Sequence, residues 1–238
     1  LLNIIDDLNE RGIPDGAKLV SFDIENMFPS IDNQKGIVTV QKALSTRDFL
    51  EPSTECIVEA LKICLTCNNS VFANQNLLQI DGTATGAPNS CSYSDLAVYP
   101  TAEKIIEEAG NNCIEMLYFG LYRDDGFTLW NGTVERLEVF KEFVNSLDPK
   151  LKFKMEIGEN YQLCFLDLLI SISNNQLHTT VYSKPTSTQM YLQADSLHPY
   201  STKEGIQKGV ALRLRRICST DEEFRKKSKD YMGYLAAR

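Results

Sequence analysis

Leu121-Tyr122-Arg123-Asp124-Asp125-Gly126-Phe127 places two adjacent aspartates at a turn between two apolar runs. Upstream lie Ile114, Met116, Leu117 and Tyr118; downstream lie Leu129 and Trp130. These flanks read as the strands of a hairpin, with Asp125-Gly126 supplying the turn. Two carboxylates at a hairpin tip repel each other unless something cationic neutralises them. A divalent metal suits that position, because Mg²⁺ prefers hard oxygen ligands and binds through one or two carboxylates plus substrate phosphates. Asp-Asp-Gly is also an ordinary soluble turn, so the hairpin alone decides nothing.

A second acid changes the weight of the first two. Lys18-Leu19-Val20-Ser21-Phe22-Asp23 is a short apolar run ending in a carboxylate, followed by Ile24-Glu25-Asn26-Met27-Phe28-Pro29. An acid at the carboxyl end of a buried strand can sit beside a hairpin tip on the neighbouring strand. Asp23, Asp124 and Asp125 would then form a three-carboxylate cluster for two metal ions. Such sites clamp the attacking and leaving oxygens of an in-line phosphoryl displacement.

In order, these segments resemble the palm of a reverse transcriptase, and more narrowly the Penelope-like retroelement group. Asp23 matches the first catalytic acid of the family, and Phe28 the aromatic gate beneath the sugar 2′ position. Thr85-Gly86-Ala87-Pro88 resembles the second palm motif, which touches template and incoming nucleotide. Tyr122-Arg123-Asp124-Asp125 matches the third motif. Phe165-Leu166-Asp167 resembles the hairpin that seats the primer end. Lys184-Pro185-Thr186, Tyr191-Leu192 and Ser196-Leu197-His198-Pro199 resemble blocks found in Penelope-like elements. Two departures stand out: Gly82 occupies about the place of an upstream glutamine in retroviral enzymes, and the variable position of the third motif is the bulky Arg123.

The resemblance implies an α+β fold, a right-hand palm with an antiparallel sheet packed on helices, followed by a helical thumb-like segment. It places the palm with partial fingers at residues 1–187 and a connector with a basic thumb-like region at 188–238. It implies RNA-directed synthesis of DNA from dNTPs on a DNA primer and an RNA template, with two Mg²⁺ ions, or Mn²⁺ in their place. Asp23, Asp124 and Asp125 would be catalytic, and the Ile24 carbonyl would complete a metal shell. Phe28, Gly86, Ala87, Pro88 and Lys154 would meet the nucleotide. Tyr122, Phe165, Leu166, Lys184, Arg213 and Arg216 would meet primer and template. Lys152 and Lys154 both stand as candidate proton donors to the leaving pyrophosphate. Intracellular, nuclear action follows from the family alone. Three alternatives stay open: a non-catalytic nucleic-acid-binding remnant, which the intact acids disfavour; an RNA-dependent RNA polymerase palm, which Phe28 disfavours; and a soluble domain with acidic turns and no metal, which the ordered set of motifs disfavours.

Charge supports this division of labour. The chain carries a net −8, which by itself speaks against contact with phosphates. Residues 200–238 hold ten Lys or Arg against five Asp or Glu, a net +5, which leaves −13 for the remainder. A cation-rich tail behind an acid-bearing core fits a segment that grips a duplex. Hydrophobic content of 43% and charged content of 24% suit a globular chain, and no apolar run reaches membrane-spanning length. Seven scattered cysteines do not form a disulfide framework; Cys64 and Cys67 make a lone C-x-x-C, and small core residues are the expected role.

Periodicity predicts helices over 34–44, 51–65, 135–147 and from Pro88 to about Ala109, with Pro100 as a kink or interruption. Strands are expected over 151–157, and a hairpin of 163–173 with 176–183 across Asn174-Asn175. Ser201-Thr202-Lys203-Glu204 fits a capping box at the start of a helix whose Ile206, Val210, Leu214 and Ile217 share a face. A charged helix should run from Thr220 to the end. Leu1 to Ile5 reads as the middle of a helix, so the chain is expected to be part of a larger protein and, lacking most of the fingers, to polymerise poorly alone.

Overall fold

The computed structural model describes residues 1–49, 51–188, 191–193 and 195–236, and it forms two compact units. One comprises residues 20–156; the other comprises 1–19 and 157–238.

The first unit is built on a four-stranded sheet of order β4-β5-β1-β6, with β1 at Lys18–Ile24, β4 at Met116–Tyr122, β5 at Asp125–Trp130 and β6 at Phe153–Ile157. β4 and β5 pair antiparallel, Tyr122 opposite Asp125 and Leu121 opposite Gly126. The two-residue turn is therefore Arg123-Asp124, not Asp125-Gly126. Arg123 takes the left-handed conformation, φ 59°, that such a turn needs. Gly126 lies inside β5 because β1 runs close: a Cβ there would stand 2.8 Å from the Phe22 Cβ.

Side chains alternate across a strand, so the faces can be assigned. Val20, Phe22 and Ile24 enter the core with Trp130 and Phe153, and Phe119 and Leu121 pack against it. Helices α3 (Asn33–Ser45), α5 (Ser90–Asn112) and α6 (Val134–Leu147) close that core with Val40, with Tyr93, Val98 and Ile105, and with Leu137, Phe140 and Val144. Phe22 meets Phe119 and Phe140 edge to face at 5.4 and 6.5 Å. Asp23 and Asp125, each one residue out of phase with this set, take the opposite face.

The helix starts are set by caps. Asp32 accepts from the N–H groups of Gln34 and Lys35, Thr133 from Arg136, and Ser53 from Cys56, so α4 runs Thr54–Thr66 rather than from Glu51. α5 begins at Ser90, two residues after Pro88, and continues through Pro100 without ending. An interior proline costs about 3 kcal/mol. Burial of Tyr93, Val98 and Ile105 on either side offsets it. Between α4 and α5, β2 (Asn69–Phe72) and β3 (Gln75–Leu78) form a two-stranded sheet of their own.

The other unit holds α1 (Leu2–Arg11) and a three-stranded meander: β7 (Gln162–Phe165), β8 (Leu168–Ser173) and β9 (Gln176–Val181). The expected strand over 163–173 is thus broken in two by a turn at Leu166-Asp167, where Leu166 has φ 54°. Helices α1, α7 (Tyr200–Ile217) and α8 (Asp221–Ala236) pack on β9. Asn9 clamps the β9 backbone, its amide oxygen accepting from Leu177 N–H at 2.7 Å and its nitrogen donating to Leu177 C=O at 2.9 Å. The capping box of α7 does not form: Pro199 stands at the cap, and its carbonyl receives the N–H groups of Thr202 and Lys203. Thr220 caps α8 by accepting from Glu223 N–H; residues 237 and 238 of the expected helix lie outside the described residues. Only Cys113 and Cys218 are buried; Cys56, Cys64, Cys67 and Cys164 are exposed, contrary to a core role. Among the described residues no helix is long and apolar enough to cross a membrane.

Candidate active site

Asp23 is the penultimate residue of β1, and the backbone just beyond it is bonded on both sides. Ile24 N–H donates to Asp124 C=O at 3.0 Å, and Glu25 N–H donates to Lys152 C=O at 2.9 Å. The first bond joins the strand end to the hairpin tip. It brings the Asp23 and Asp124 carboxyls into electrostatic contact. The Asp23 carboxyl is raised above the usual carboxylate range, first by partial burial and then by the Asp124 charge, with Lys154 opposing. Asp125 follows on the same face of the sheet as Asp23. Among the described residues, no group of three His, Cys, Asp or Glu side chains is gathered closely enough to hold a metal ion. The structure thus couples Asp23 with Asp124 and sets Asp125 beside them along the strand.

The electrostatic balance tests whether a divalent cation fits. The ammonium that acts on Asp23, Lys154, is already engaged by Glu25 at 2.5 Å. That bond raises the lysine and lowers the glutamate, so both stay charged. Asp23 and Asp124 are left with mutual repulsion and hard oxygen donors, a donor set that fits Mg²⁺ or Mn²⁺. Glu25 was not anticipated as part of the site. Its place two residues beyond Asp23, opposite a strand lysine, was the available signal.

Phe28 lies in the short helix α2 (Met27–Ser30) and packs its half-buried ring on the core. Its carbonyl accepts Thr83 N–H at 2.8 Å, which sews the Thr85-Gly86-Ala87-Pro88 loop to the segment carrying Asp23. Gly82 makes the seam possible. It has φ +70°, and a Cβ there would stand 2.6 Å from the Phe28 carbonyl oxygen and the Pro29 Cα. No glutamine can occupy that position in this chain. Asn33 donates to the Gly82 carbonyl, and Lys150 joins Asp81 at 2.5 Å to Asp32 at 3.3 Å. These partners are 48 or more residues apart, and no local pattern announces them. Gly86, at φ +91°, has open space where a Cβ would be; its glycine serves the turn and not a packed contact within the chain. Thr85, Gly86 and Pro88 are exposed, and Ala87 is half-buried. Thr83 and Ser90 hydroxyls share a buried hydrogen bond of 2.9 Å beneath the loop.

Tyr122 is exposed, with the Arg123 guanidinium 5.4 Å over its ring. Both line a cavity of about 260 Å³ with Asp95, Tyr99 and Ala102 of α5.

In the unit of residues 1–19 and 157–238, Phe165 is buried and Leu166 exposed at the β7–β8 turn. Arg213 of α7 does not stand free for phosphate: its Nε and Nη2 donate to one Asp167 oxygen at 3.2 and 2.6 Å. Lys184 and Arg213 line one cavity of about 320 Å³ with Tyr182, Thr186 and Tyr231. Arg216 lines a different one, of about 360 Å³, with Asp6, Asn9 and His178.

No family model and no curated protein matches the chain. Solved structures do. Telomerase from Candida albicans, in complex with a TWJ fragment of telomeric RNA, is 12% identical at a TM-score of 0.69 over 99% of this chain and 41% of its own. Telomerase from Candida tropicalis, in complex with the same kind of fragment, gives 12% identity and a TM-score of 0.59 over 98% and 41%. An apo Candida tropicalis telomerase lacking its C-terminal domain gives 0.57 over 74% and 39%. The chain spans about two-fifths of the length of these relatives. At this identity the likeness shows the fold alone. The chain has a reverse-transcriptase-like polymerase fold of the right-hand type, shared along almost its entire length with telomerase.

Proposed function

We propose that this chain is the polymerising module of an RNA-directed DNA polymerase of the Penelope-like kind. The observation that carries the reading is the bond between Ile24 N–H and the Asp124 carbonyl, which joins the strand end bearing Asp23 to the hairpin tip bearing Asp124, whose charge helps to raise the Asp23 carboxyl. The polymerase fold agrees with it, and the ordered motifs supply the finer assignment.

Asp23 and Asp124 would hold the divalent cations, with Asp125 and the Ile24 carbonyl completing the donor set. When bound, Mg²⁺ lowers the pKa of a primer 3′-hydroxyl and neutralises a triphosphate. The rest belongs to the chain. Phe28, held by its carbonyl bond to Thr83, would set the floor under the sugar of a dNTP. Gly86, Ala87 and Pro88 would present backbone to the nucleotide. Lys154, kept protonated by Glu25, would donate a proton to the leaving pyrophosphate. Tyr122, Phe165, Leu166, Lys184, Arg213 and Arg216 would contact primer and template. Residues 1–187 would serve as palm with partial fingers, 188–238 as connector and thumb, and the work would be done in the nucleus.

The test is primer extension on an RNA template with Mg²⁺ and either dNTPs or rNTPs, using this chain alone and extended at its amino end. DNA product that disappears in an Asp124→Asn, Asp125→Asn double variant establishes the reading. No product from a protein that still binds RNA returns the chain to a non-catalytic remnant, and product from rNTPs removes the gate role from Phe28.

A further inference from the structure

The ion pairs Arg11–Asp7, Lys62–Glu59 and Lys141–Glu138 each join residues three or four apart on one helix and fix nothing distant. Lys150 is placed differently. It lies between α6 and β6, and its ammonium meets Asp81, 69 residues away, at 2.5 Å and Asp32 at 3.3 Å.

Both acids divide their oxygens in the same way. Asp81 Oδ1 accepts from the N–H groups of Asn33 and Gly82 at 3.3 and 3.0 Å, and its Oδ2 takes Lys150. Asp32 Oδ1 accepts from Gln34 and Lys35 N–H at 3.0 and 3.1 Å, and its Oδ2 takes Lys150. The ammonium therefore ties together two acids that already hold backbone. That backbone leads to the residues proposed to meet the nucleotide. Gly82 packs against the Phe28 carbonyl, and Thr83 N–H donates to it at 2.8 Å just before Gly86, Ala87 and Pro88. The Lys150 segment reaches the acid side as well, because the Lys152 carbonyl accepts Glu25 N–H at 2.9 Å. Without the ammonium, Asp32 and Asp81 would face each other as like charges across this seam.

We infer that Lys150 is a positioning residue for the incoming nucleotide: its bridge from Asp32 to Asp81 sets the loop of Gly86, Ala87 and Pro88 against the segment bearing Asp23 and Phe28. The inference rests on the nucleotide role proposed above for those residues. Lys150 acts through the loop and touches no substrate. Its side chain is 43% exposed, and those of Asp32 and Asp81 are 23% and 45% exposed. Solvent screens such a bridge, so it tunes nucleotide affinity and does not create it.

The test is binding of dGTP carrying a fluorescent methylanthraniloyl group, with Mg²⁺, to the 238-residue chain, read by anisotropy. Asp32→Asn and Asp81→Asn keep an oxygen for the backbone N–H groups and remove the charge that Lys150 meets. Each, like Lys150→Met, should weaken binding roughly three- to tenfold, the scale of one or two partly screened ion pairs. Lys150→Arg should bind as wild type does. Lys150→Met combined with Asp81→Asn should bind no more weakly than Lys150→Met alone, because both remove one interaction. An unchanged circular dichroism spectrum confirms that each variant is folded. Folded variants that all bind like wild type overturn the inference and leave the nucleotide site standing. A loss confined to Lys150→Met also overturns it, since the ammonium then meets the triphosphate directly. A wild-type chain that binds no labelled dGTP removes the nucleotide site itself, and the inference with it.

Discussion

Two hairpins in this chain are built alike at the tip and differ in what surrounds it. Each turns on two residues, a left-handed one followed by an aspartate: Arg123-Asp124 at φ 59° and Leu166-Asp167 at φ 54°. Asp167 is answered by Arg213, which gives it two hydrogen bonds from a neighbouring helix. Asp124 meets another carboxylate, and the Asp23 proton is held more tightly for it. The same local geometry thus yields a neutralised acid that ties a turn to a helix, and an acid set against another acid. Like charges facing each other at the end of a well-packed sheet single out a candidate site better than the turn sequence does.

One substitution applied to both tips should split them. Asp124→Asn leaves the turn intact and removes the charge that the proposed cation would need. Polymerising activity should fall by about 10²–10³-fold or more, the scale of losing one preorganised electrostatic group. Asp167→Asn should leave the chemical step within a few-fold of wild type. Steady-state primer extension with separate kcat and KM reads both; comparable losses in kcat would erase the distinction.

The distance between β1 and the acidic hairpin can be tested next. Gly126→Ala pushes a methyl against Phe22, whose Cβ would be 2.8 Å away. Overpacking of this kind costs about 1–3 kcal/mol. The chemical denaturation midpoint should drop, and activity should fall beyond what the residual folded fraction explains, because Asp23 sits one residue past Phe22. Gly205→Ala, on α7 with nothing within 4 Å, should keep or gain stability. If Gly126→Ala is as harmless as Gly205→Ala, the close approach of the two strands does not matter.

At the neutralised tip the effects are smaller. The Arg213 and Asp167 side chains are 45% and 51% exposed, so solvent screens the pair and it is worth no more than ~1 kcal/mol. Arg213→Met should lower the melting temperature by a few degrees at most. Asp167→Arg combined with Arg213→Asp should recover part of that loss. A double-mutant cycle showing no coupling would mean the pair is incidental.

The acids, the strand before Asp23 and the hairpin after it were legible because each rests on local pattern: apolar runs, a turn, and carboxylates at their ends. The exact turn was misread because Asp-Gly is a strong turn signal, while the close passage of Phe22 that places Gly126 inside the strand is a tertiary fact. Pro100 does not interrupt α5, because core packing outweighs its local cost. Ser201 fits a capping box, yet Pro199 took the cap. The basic tail was visible as a sum of charge. That Arg213 was committed to Asp167, 46 residues away, was not. The role of Gly82 could not be read either, since its reason is the backbone of Phe28 and Pro29.

The smallest effect should distinguish the two kinds of acid by sign. Asp23 has a folded-state pKa above its unfolded value near 3.8. The folded chain therefore holds a proton that the unfolded chain has released. Its contribution favours the fold below the unfolded pKa and is lost as pH rises through the folded one. Asp32 and Asp81 behave in the opposite sense. Their pKa values are lowered, first by the Lys35 backbone N–H at Asp32 and by the Lys150 ammonium at Asp81. Their contributions are present above the unfolded pKa and vanish as pH falls through the folded values. Removing the Asp124 charge relieves Asp23. Asp124→Asn should therefore leave acid stability nearly unchanged and raise the denaturation midpoint slightly at neutral pH, while abolishing activity. Lys150→Met should do the reverse, flattening the loss of stability toward acid. Urea midpoints of the three proteins followed from acid to neutral pH decide it. A neutral-pH decrease in Asp124→Asn would mean that its carboxylate is compensated within the chain after all, and the contrast between the two hairpins would disappear.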